Sequence, residues 1–446
     1  MPLGPSGSRK LLLMIEGSMV RGSTPIFIWR ISGAGIVFVT HVMLARWMGA
    51  AELGVYVLTF SWFLLLATLA GAGLRQAAIR FVGYGLANED YGYIQRFVNT
   101  STGVVLVVSL VIAAIGVLVV SVGGGVGPDA LTKPFLIAML AIPLYAVMSF
   151  HLGVANACAW FSLSFFPNMF LRPLLFLMAL IVASVLAPRL TATLAMGLHG
   201  LVITAVAIIA IYVVRSRLAL HRFGPASQTE LRLWIRTGVP LLIITLFSAY
   251  SLELNLILLG AFLPSSDIAI FNACYRLALL LAFGLFAVDA YISPQIATLN
   301  ARDDRQNLQR VITHATLLRV GGAVAATVLF AVFGKSLLGL FGAEFVGGYS
   351  ALMMLTFGQV VHAASGPSTK LLSIGGHQDQ CLYVFAVSFA LLAGLTALLA
   401  PAYGIFGAAV AAFCGVALWS VWLAVLVTRH MQIRPTILSA YTPAHR

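Results

Sequence analysis

Six charged residues fall inside long hydrophobic runs of this sequence: Arg30, Glu253, Arg276, Asp289, Arg319 and Lys370. A charge in hydrocarbon is costly unless it faces a partner or a watery cavity, so these are the first places to look for chemistry. Arg30 stands between one and two turns into its run, with Ser32, Gly33 and Gly35 close behind. Small residues let another helix or a ligand approach the backbone. A guanidinium there can grip a phosphate through paired hydrogen bonds, or it can snorkel to the headgroups. Both readings stay open. Arg75 and Arg80 follow the second run, after Gly71 and Gly73. They read as interfacial anchors or as a basic mouth that gathers an anionic headgroup.

Glu253 is the deepest acid, flanked by Ser251 and Asn255. It reads either as an ion-coupling carboxylate or as the partner of Arg276, which the spacing places at similar depth in the next run. The same two readings apply to Asp289. Because Asp289, Arg319 and Lys370 all lie within two turns of run ends, anchoring at the interface is the expectation for them. His41, His151, His199 and His362 read as hydrogen-bonded core residues. Cys158, Cys274, Cys381 and Cys414 show no paired or metal-ligand spacing and read as small apolar core residues. No metal and no cofactor is expected.

The elements that position these residues follow from composition. Of 446 residues, 61% are hydrophobic and 9% are charged, and the mean hydropathy is +1.01. Soluble domains carry roughly 25% charged residues. No water-soluble core could hide that excess, because its surface needs polar cover. The chain is therefore expected to be all-α, a polytopic integral membrane protein. At about 20 apolar residues per crossing, runs bounded by Gly, Pro and charges mark twelve helices: 25–45, 53–73, 102–122, 134–156, 168–188, 192–214, 238–262, 269–292, 313–334, 350–371, 382–401 and 404–428. They form two six-helix halves, 25–214 and 238–428. A basic cytoplasmic linker, 215–237, separates them and carries five arginines. Residues 1–24 form a cytoplasmic or interfacial lead-in, and 429–446 form a tail. The apolar run at 11–15 is too short for a signal-peptide core.

Details refine this layout. The stretch 157–167 is expected to lie in the interface. Pro240 and Pro294 should stand near helix ends, and Gly366-Pro367 should kink or break the tenth helix. The stretch from Leu44 to Gly73 weakly echoes that from Leu259 to Asp289, as parallel repeats would. The net charge of +13 suggests orientation and anionic lipid rather than nucleic acid, since few cations cluster outside the runs. There is no P-loop, no GxSxG, HExxH or CxxC pattern, and no loop long enough for an active site. An ATP motor and an enzyme are both disfavoured.

Several short stretches carry a family resemblance: Arg30-Ile31-Ser32-Gly33, Leu44-Ala45-Arg46-Trp47-Met48-Gly49, Leu53-Gly54-Val55-Tyr56, and Gly73-Leu74-Arg75 with Arg80. They resemble polysaccharide flippases of the multidrug, oligosaccharidyl-lipid and polysaccharide exporter superfamily. Leu53 departs mildly from the phenylalanine usual there. The resemblance implies a MATE-like two-lobed fold that moves an undecaprenyl-diphosphate-linked oligosaccharide across the bacterial inner membrane by alternating access. It implies cavity cations at Arg30 and Arg276, with Arg75 and Arg80 at the mouth. The expected partners are the lipid-linked oligosaccharide and membrane lipids, together with polymerase and glycosyltransferases of the same pathway. The protein is expected to act as a monomer. A cation-coupled small-molecule exporter of the same fold is the rival, supported by Glu253; a membrane glycosyl polymerase or ligase is a more distant one.

With the N-terminus in the cytoplasm, eighteen Lys and Arg residues fall on the cytoplasmic side and four (Arg46, Lys133, Arg189 and Lys335) fall opposite. Positive charge is held on the cytoplasmic side of membrane proteins. Reporters fused at either terminus should therefore be active only in the cytoplasm, and an export-dependent reporter working at either end would refute the layout.

Overall fold

In the computed structural model the described residues are 5–122, 129–187, 189–218, 228–302, 304–376 and 378–437. Residues 219–227 of the basic linker, with Arg222, and Arg446 lie outside them, and the side chains of 5–27 are not described. The described chain is helical, without strands: α1 Pro5–Ala70, α2 Leu74–Ala87, α3 Tyr91–Val122, α4 Asp129–Ala157, α5 Phe161–Phe166, α6 Arg172–Leu186, α7 Ala192–Arg217, α8 Gln228–Ala249, α9 Ser251–Leu259, α10 Ser265–Ala301, α11 Arg305–Gly339, α12 Tyr349–Ala364, α13 Ser368–Ile374 and α14 Gln378–Met431. A π turn, Pro167–Leu171, joins α5 to α6. A 3-10 turn, Ala343–Gly348, precedes α12.

Eight continuous helical stretches are long and apolar enough to cross a membrane. Two of them, Ile28–Ala87 with 60 residues and Gln380–Met431 with 52, would be about 90 and 80 Å long if straight, far more than one ~30 Å crossing needs. The first is broken at Gly49, φ +76°, and again at the turn 71–73 between α1 and α2, and the second at Gly404, φ +58°. At Gly404 the chain doubles back so tightly that a Cβ on Gly407 would lie 2.2 Å from the Leu399 carbonyl. With α8 and α9 taken as one span bent by 65°, the described residues hold nine such stretches.

Contacts group the chain into two compact units. The first is Met1–Met43 with Trp62–Ile243, and the second is Leu44–Ser61 with Ile244–Arg446. The sequence layout puts all of 25–214 in one half, whereas the middle of α1 packs with the second unit. In the first unit, α4 lies among α2, α3 and α7. An aromatic cluster closes one end: Trp234 is fully buried, its ring 4.9 Å from that of Phe97, and its Nε1 donates to the Tyr93 hydroxyl at 3.1 Å. In the second unit α10, α11, α12 and α14 form the bundle, with Ile296, Leu308, Ile312, Leu371 and Leu423 in one core. The apolar exterior is the lipid face. The most apolar window of α3 is only 17% buried, which in water would be an aggregation surface.

Three expectations change. Arg172, placed among cytoplasmic cations, stands eleven residues inside the candidate span Phe161–Leu186, because helix already resumes at Phe161. Pro240 and Pro294 lie inside α8 and α10 rather than near helix ends, because these helices continue beyond the apolar core. Asp289 and Arg319, expected as interface anchors, are partners in the interior.

Glycine sets the closest approaches. Gly73 has φ +71°, and a Cβ there would sit 1.9 Å from the Gly238 carbonyl. Gly73→Ala should cost roughly 2–4 kcal/mol, combining left-handed strain with backbone overlap. Gly83→Ala, with nothing within 4 Å, should be neutral. Thermal unfolding of the two variants in detergent checks the contrast.

Candidate functional site

A cavity of about 350 Å³ lies within the second unit, at the small end of the size range for ligand pockets. One wall is the break between α12 and α13 at Ser365, Gly366 and Pro367, where the kink expected from Gly366-Pro367 is a true interruption. Gly366 has φ +69° and lies so close to the Pro435 carbonyl that a Cβ would be 2.2 Å from it. Hydroxyls take up carbonyls near the break. Ser365 Oγ donates to the His362 carbonyl at 2.8 Å and Ser368 Oγ to the Ser365 carbonyl at 2.7 Å. Irregular backbone survives at membrane depth only where it is satisfied within protein or lines a cavity.

The cavity is charged at one end. Arg319 of α11, 1% exposed, forms a direct ion pair with Asp289 of α10 through its Nη1. Its Nη2 donates to the His362 carbonyl at 3.4 Å. Lys370 of α13 adds its positive charge to the field at Asp289, and all three line the cavity. The pair explains how two charges stay inside the bundle, since each neutralises the other. The remaining wall is aromatic and amide-bearing. Phe247 and Phe389 have centroids 5.4 Å apart, and Trp419 lies 4.5 Å from His362. Asn255, 1% exposed, also lines the cavity. Its side-chain oxygen and nitrogen have no hydrogen-bond partner. A cavity with a cation-rich end and an aromatic, amide-bearing wall suits an amphiphile with an anionic group better than a bare apolar molecule.

The other sequence-derived candidates take distinct places. In α10, Arg276 Nε donates to Asn272 Oδ1 at 3.2 Å, one turn back. Arg276 and Glu253 act on each other electrostatically, but no hydrogen bond joins them among the described residues. In the first unit, Arg75 Nη1 donates to Ser149 Oγ at 3.1 Å, and its backbone packs against Gly153. Arg80 is exposed, its guanidinium 5.9 Å from the Phe81 ring. Arg30 is exposed on α1, one turn before Gly33, whose backbone abuts the Met169 carbonyl in the π turn. Asp289 is thus joined to a cation by direct contact, while Glu253 meets its cation only through space. The histidine expectation holds for His41 and His151, whose Nδ1 atoms donate to the Val37 and Val147 carbonyls at 2.8 and 2.9 Å. His199 stacks on Phe176 at 4.1 Å.

Two residues escaped the sequence reading. Arg172 follows the π turn and lies 5.7 Å from the Tyr145 ring, with Nε and Nη1 buried and lacking acceptors. Treating 157–167 as interfacial moved it to a membrane surface; the proline at 167, which suits a helix interior only where the ladder is already irregular, was the available signal. Asn255 was noted only as a neighbour of Glu253, yet it is the one that reaches the cavity wall.

The sequence profile of a family described as polysaccharide biosynthesis protein matches residues 19–292. A relative from Haloferax volcanii, the probable low-salt glycan biosynthesis flippase Agl15, is 23% identical over 412 residues, which is 88% of this chain and 80% of the relative. Among solved structures, the lipid II flippase MurJ in an inward closed conformation superposes with a TM-score of 0.74 at 12% identity, covering 90% of this chain and 87% of that one. An inward-facing multidrug resistance MATE family transporter gives 0.68 at 14% identity, covering 91% and 99%. At such identities the structural likeness speaks for the fold.

Removing one member of the buried pair should cost more than removing both. Arg319→Leu leaves the Asp289 carboxylate uncompensated and should destabilise by about 3–5 kcal/mol, while Arg319→Leu with Asp289→Leu should recover most of that loss. Chemical unfolding of the purified variants measures both, and equal losses would exclude the pair as the governing interaction.

Proposed function

Because the chain belongs to the polysaccharide biosynthesis protein family, we propose that it is a flippase that carries a lipid-linked oligosaccharide across the membrane it spans. It is a transporter, not an enzyme. The observation that carries this is the reach of the family match: residues 19–292 contain Arg30, Arg75, Arg80 and Arg276 together.

The physical task explains the residue types. A lipid diphosphate cannot shed its hydration in hydrocarbon without replacement contacts, and guanidinium groups at depth supply charge-assisted hydrogen bonds in place of water. Arg276, eleven residues into α10 or roughly 16 Å along its axis, is held by an uncharged amide and leaves its charge available to a ligand. Arg30, in α1, is the second cation of this reading, and Arg75 and Arg80 collect the headgroup. The cargo in this reading is an undecaprenyl-diphosphate-linked oligosaccharide, passed from the cytoplasmic to the periplasmic leaflet of a bacterial inner membrane by alternating access. Both termini face the cytoplasm, and the chain acts as a monomer beside the polymerase and glycosyltransferases of its pathway. The lipid tail stays in the bilayer while the sugar passes through the protein.

A second reading has one specific observation behind it. Glu253, close to Arg276 but not bonded to it, is placed as a coupling carboxylate would be in a cation-coupled exporter of small molecules.

Arg276→Ala and Arg30→Ala should each abolish surface polysaccharide while the protein remains in the membrane, whereas Lys335→Ala should leave it unchanged. Immunoblots of membranes and surface-polysaccharide staining read the two quantities. Normal polysaccharide in both arginine variants, with transport of an organic cation by purified protein in vesicles, would favour the exporter.

A further inference from the structure

The cavity of the second unit has no part in the flippase reading, yet its walls carry unmet hydrogen-bonding capacity. Every residue that lines it lies between Phe247 and Leu423, within the second unit. Four lining residues hold buried polar atoms without a partner: Asn255 through Oδ1 and Nδ2, Ser388 through Oγ, His362 through Nδ1 and Arg319 through Nε. Asn255 and Ser388 are 1% and 3% exposed. A buried amide or hydroxyl left unpaired costs stability, so four such residues around one cavity point to a polar occupant.

These groups are spread along the cavity rather than gathered at its charged end. Ser251 hydrogen-bonds with Tyr275, and Asn255, one turn on in α9, shares its face. Asp289 lies fourteen residues beyond Tyr275 in α10, roughly 21 Å along the axis. Flat rings stand between the two ends. Trp419 is next to His362, Phe385 lies 5.5 Å from Trp419, and Phe247 faces Phe389. An acyl tail filling this length would strand Asn255 and Ser388, and a bare anion would leave the far end empty.

A sugar ring is an amphiphile that meets both demands. Its C–H faces lie flat on aromatic rings, while the hydroxyls of its rim donate to and accept from amides and other hydroxyls. The charged end sets the sign. Arg319 and Lys370 stand against the single carboxylate of Asp289 in the lining, which leaves one positive charge in excess for a ligand oxyanion to neutralise. Lys370 is exposed, so that oxyanion can dock without first opening the Asp289–Arg319 pair. We propose that this cavity binds an acidic sugar: Asn255 and Ser388 read its hydroxyls, Trp419 its face and Lys370 its oxyanion. As a statement about cargo this rests on the flippase reading above, and it makes the transported glycan an acidic one.

Calorimetric titration of the purified full-length protein in detergent tests it, with glucuronate, galacturonate, glucose 1-phosphate, glucose and octanoate as probes. An anionic sugar should bind about tenfold more tightly than glucose, the gain expected from one charge-assisted hydrogen bond. The ranking of the uronates against the sugar phosphate tells which oxyanion the cavity reads. Lys370→Ala, at an exposed position, should remove that advantage and leave glucose binding as it was. Asn255→Leu should weaken every sugar, and Asn255→Gln, which keeps an amide, should restore part of the loss. Absence of binding by all the anionic sugars, equal affinity for glucose, tighter binding of octanoate, or full sugar affinity in both Lys370→Ala and Asn255→Leu would each overturn the proposal. Free sugars on purified protein are read apart from transport, so the flippase reading, tested in cells through Arg276 and Arg30, stands or falls separately.

Discussion

Hydrocarbon offers no water to pair with a free amide, carbonyl or charge, so every such group in a span must find its partner within the protein. That single constraint organises this molecule. It makes the described chain helical, because a helix satisfies its own backbone. It also explains why the interruptions are few and well furnished. The gap between α12 and α13 has serine hydroxyls bonded to nearby carbonyls. The doubling back at Gly404 depends on a residue without a side chain and a second glycine, Gly407, under the returning chain. Asp289 and Arg319 meet the constraint as a pair in the interior, whereas Arg172 and Asn255 keep buried polar atoms without a hydrogen-bond partner.

Close packing without strong side-chain interlocking is the second theme. In lipid the hydrophobic effect does not press helices together, so contact depends on how near their backbones can come. Gly33 against Met169, Gly54 against Ser265, Gly73 against Gly238 and Gly153 against Arg75 each bring two segments together at a point where even a methyl group would collide. Such smooth contacts hold helices in register, yet they can part without dismantling a jigsaw of side chains.

The distribution of cations follows from the same energetics. In the second unit, Arg319 is spoken for by Asp289, whereas Arg276 is bonded to an amide and meets Glu253 only through space. These two arginines, both read from the sequence as intramembrane charges, are therefore held differently: one by a carboxylate in direct contact and the other by an uncharged amide. The cavity beside the Asp289–Arg319 pair joins a charged end to an aromatic wall, a lining suited to amphiphilic cargo.

Much of this was legible in the residues alone. An apolar fraction of 61% can be accommodated only by lipid, and the run lengths set the number of crossings, because both depend on chain composition and bilayer thickness rather than on packing. The break at Gly366-Pro367 was equally local, since proline and glycine carry their backbone preferences with them. What the residues could not convey was which side chains meet. Asp289 and Arg319 are thirty positions apart and each looked like an interface anchor; only the packing of α10 on α11 makes them partners. Arg172 looked cytoplasmic until α5 and the π turn after it put eleven residues of candidate span before it. Leu44–Ser61 groups with the second unit, where Arg46 and Glu344 form bonds across nearly three hundred residues. Composition decides the solvent a chain must live in; long-range contact decides which of its charges are neutralised, and that is a property of the fold.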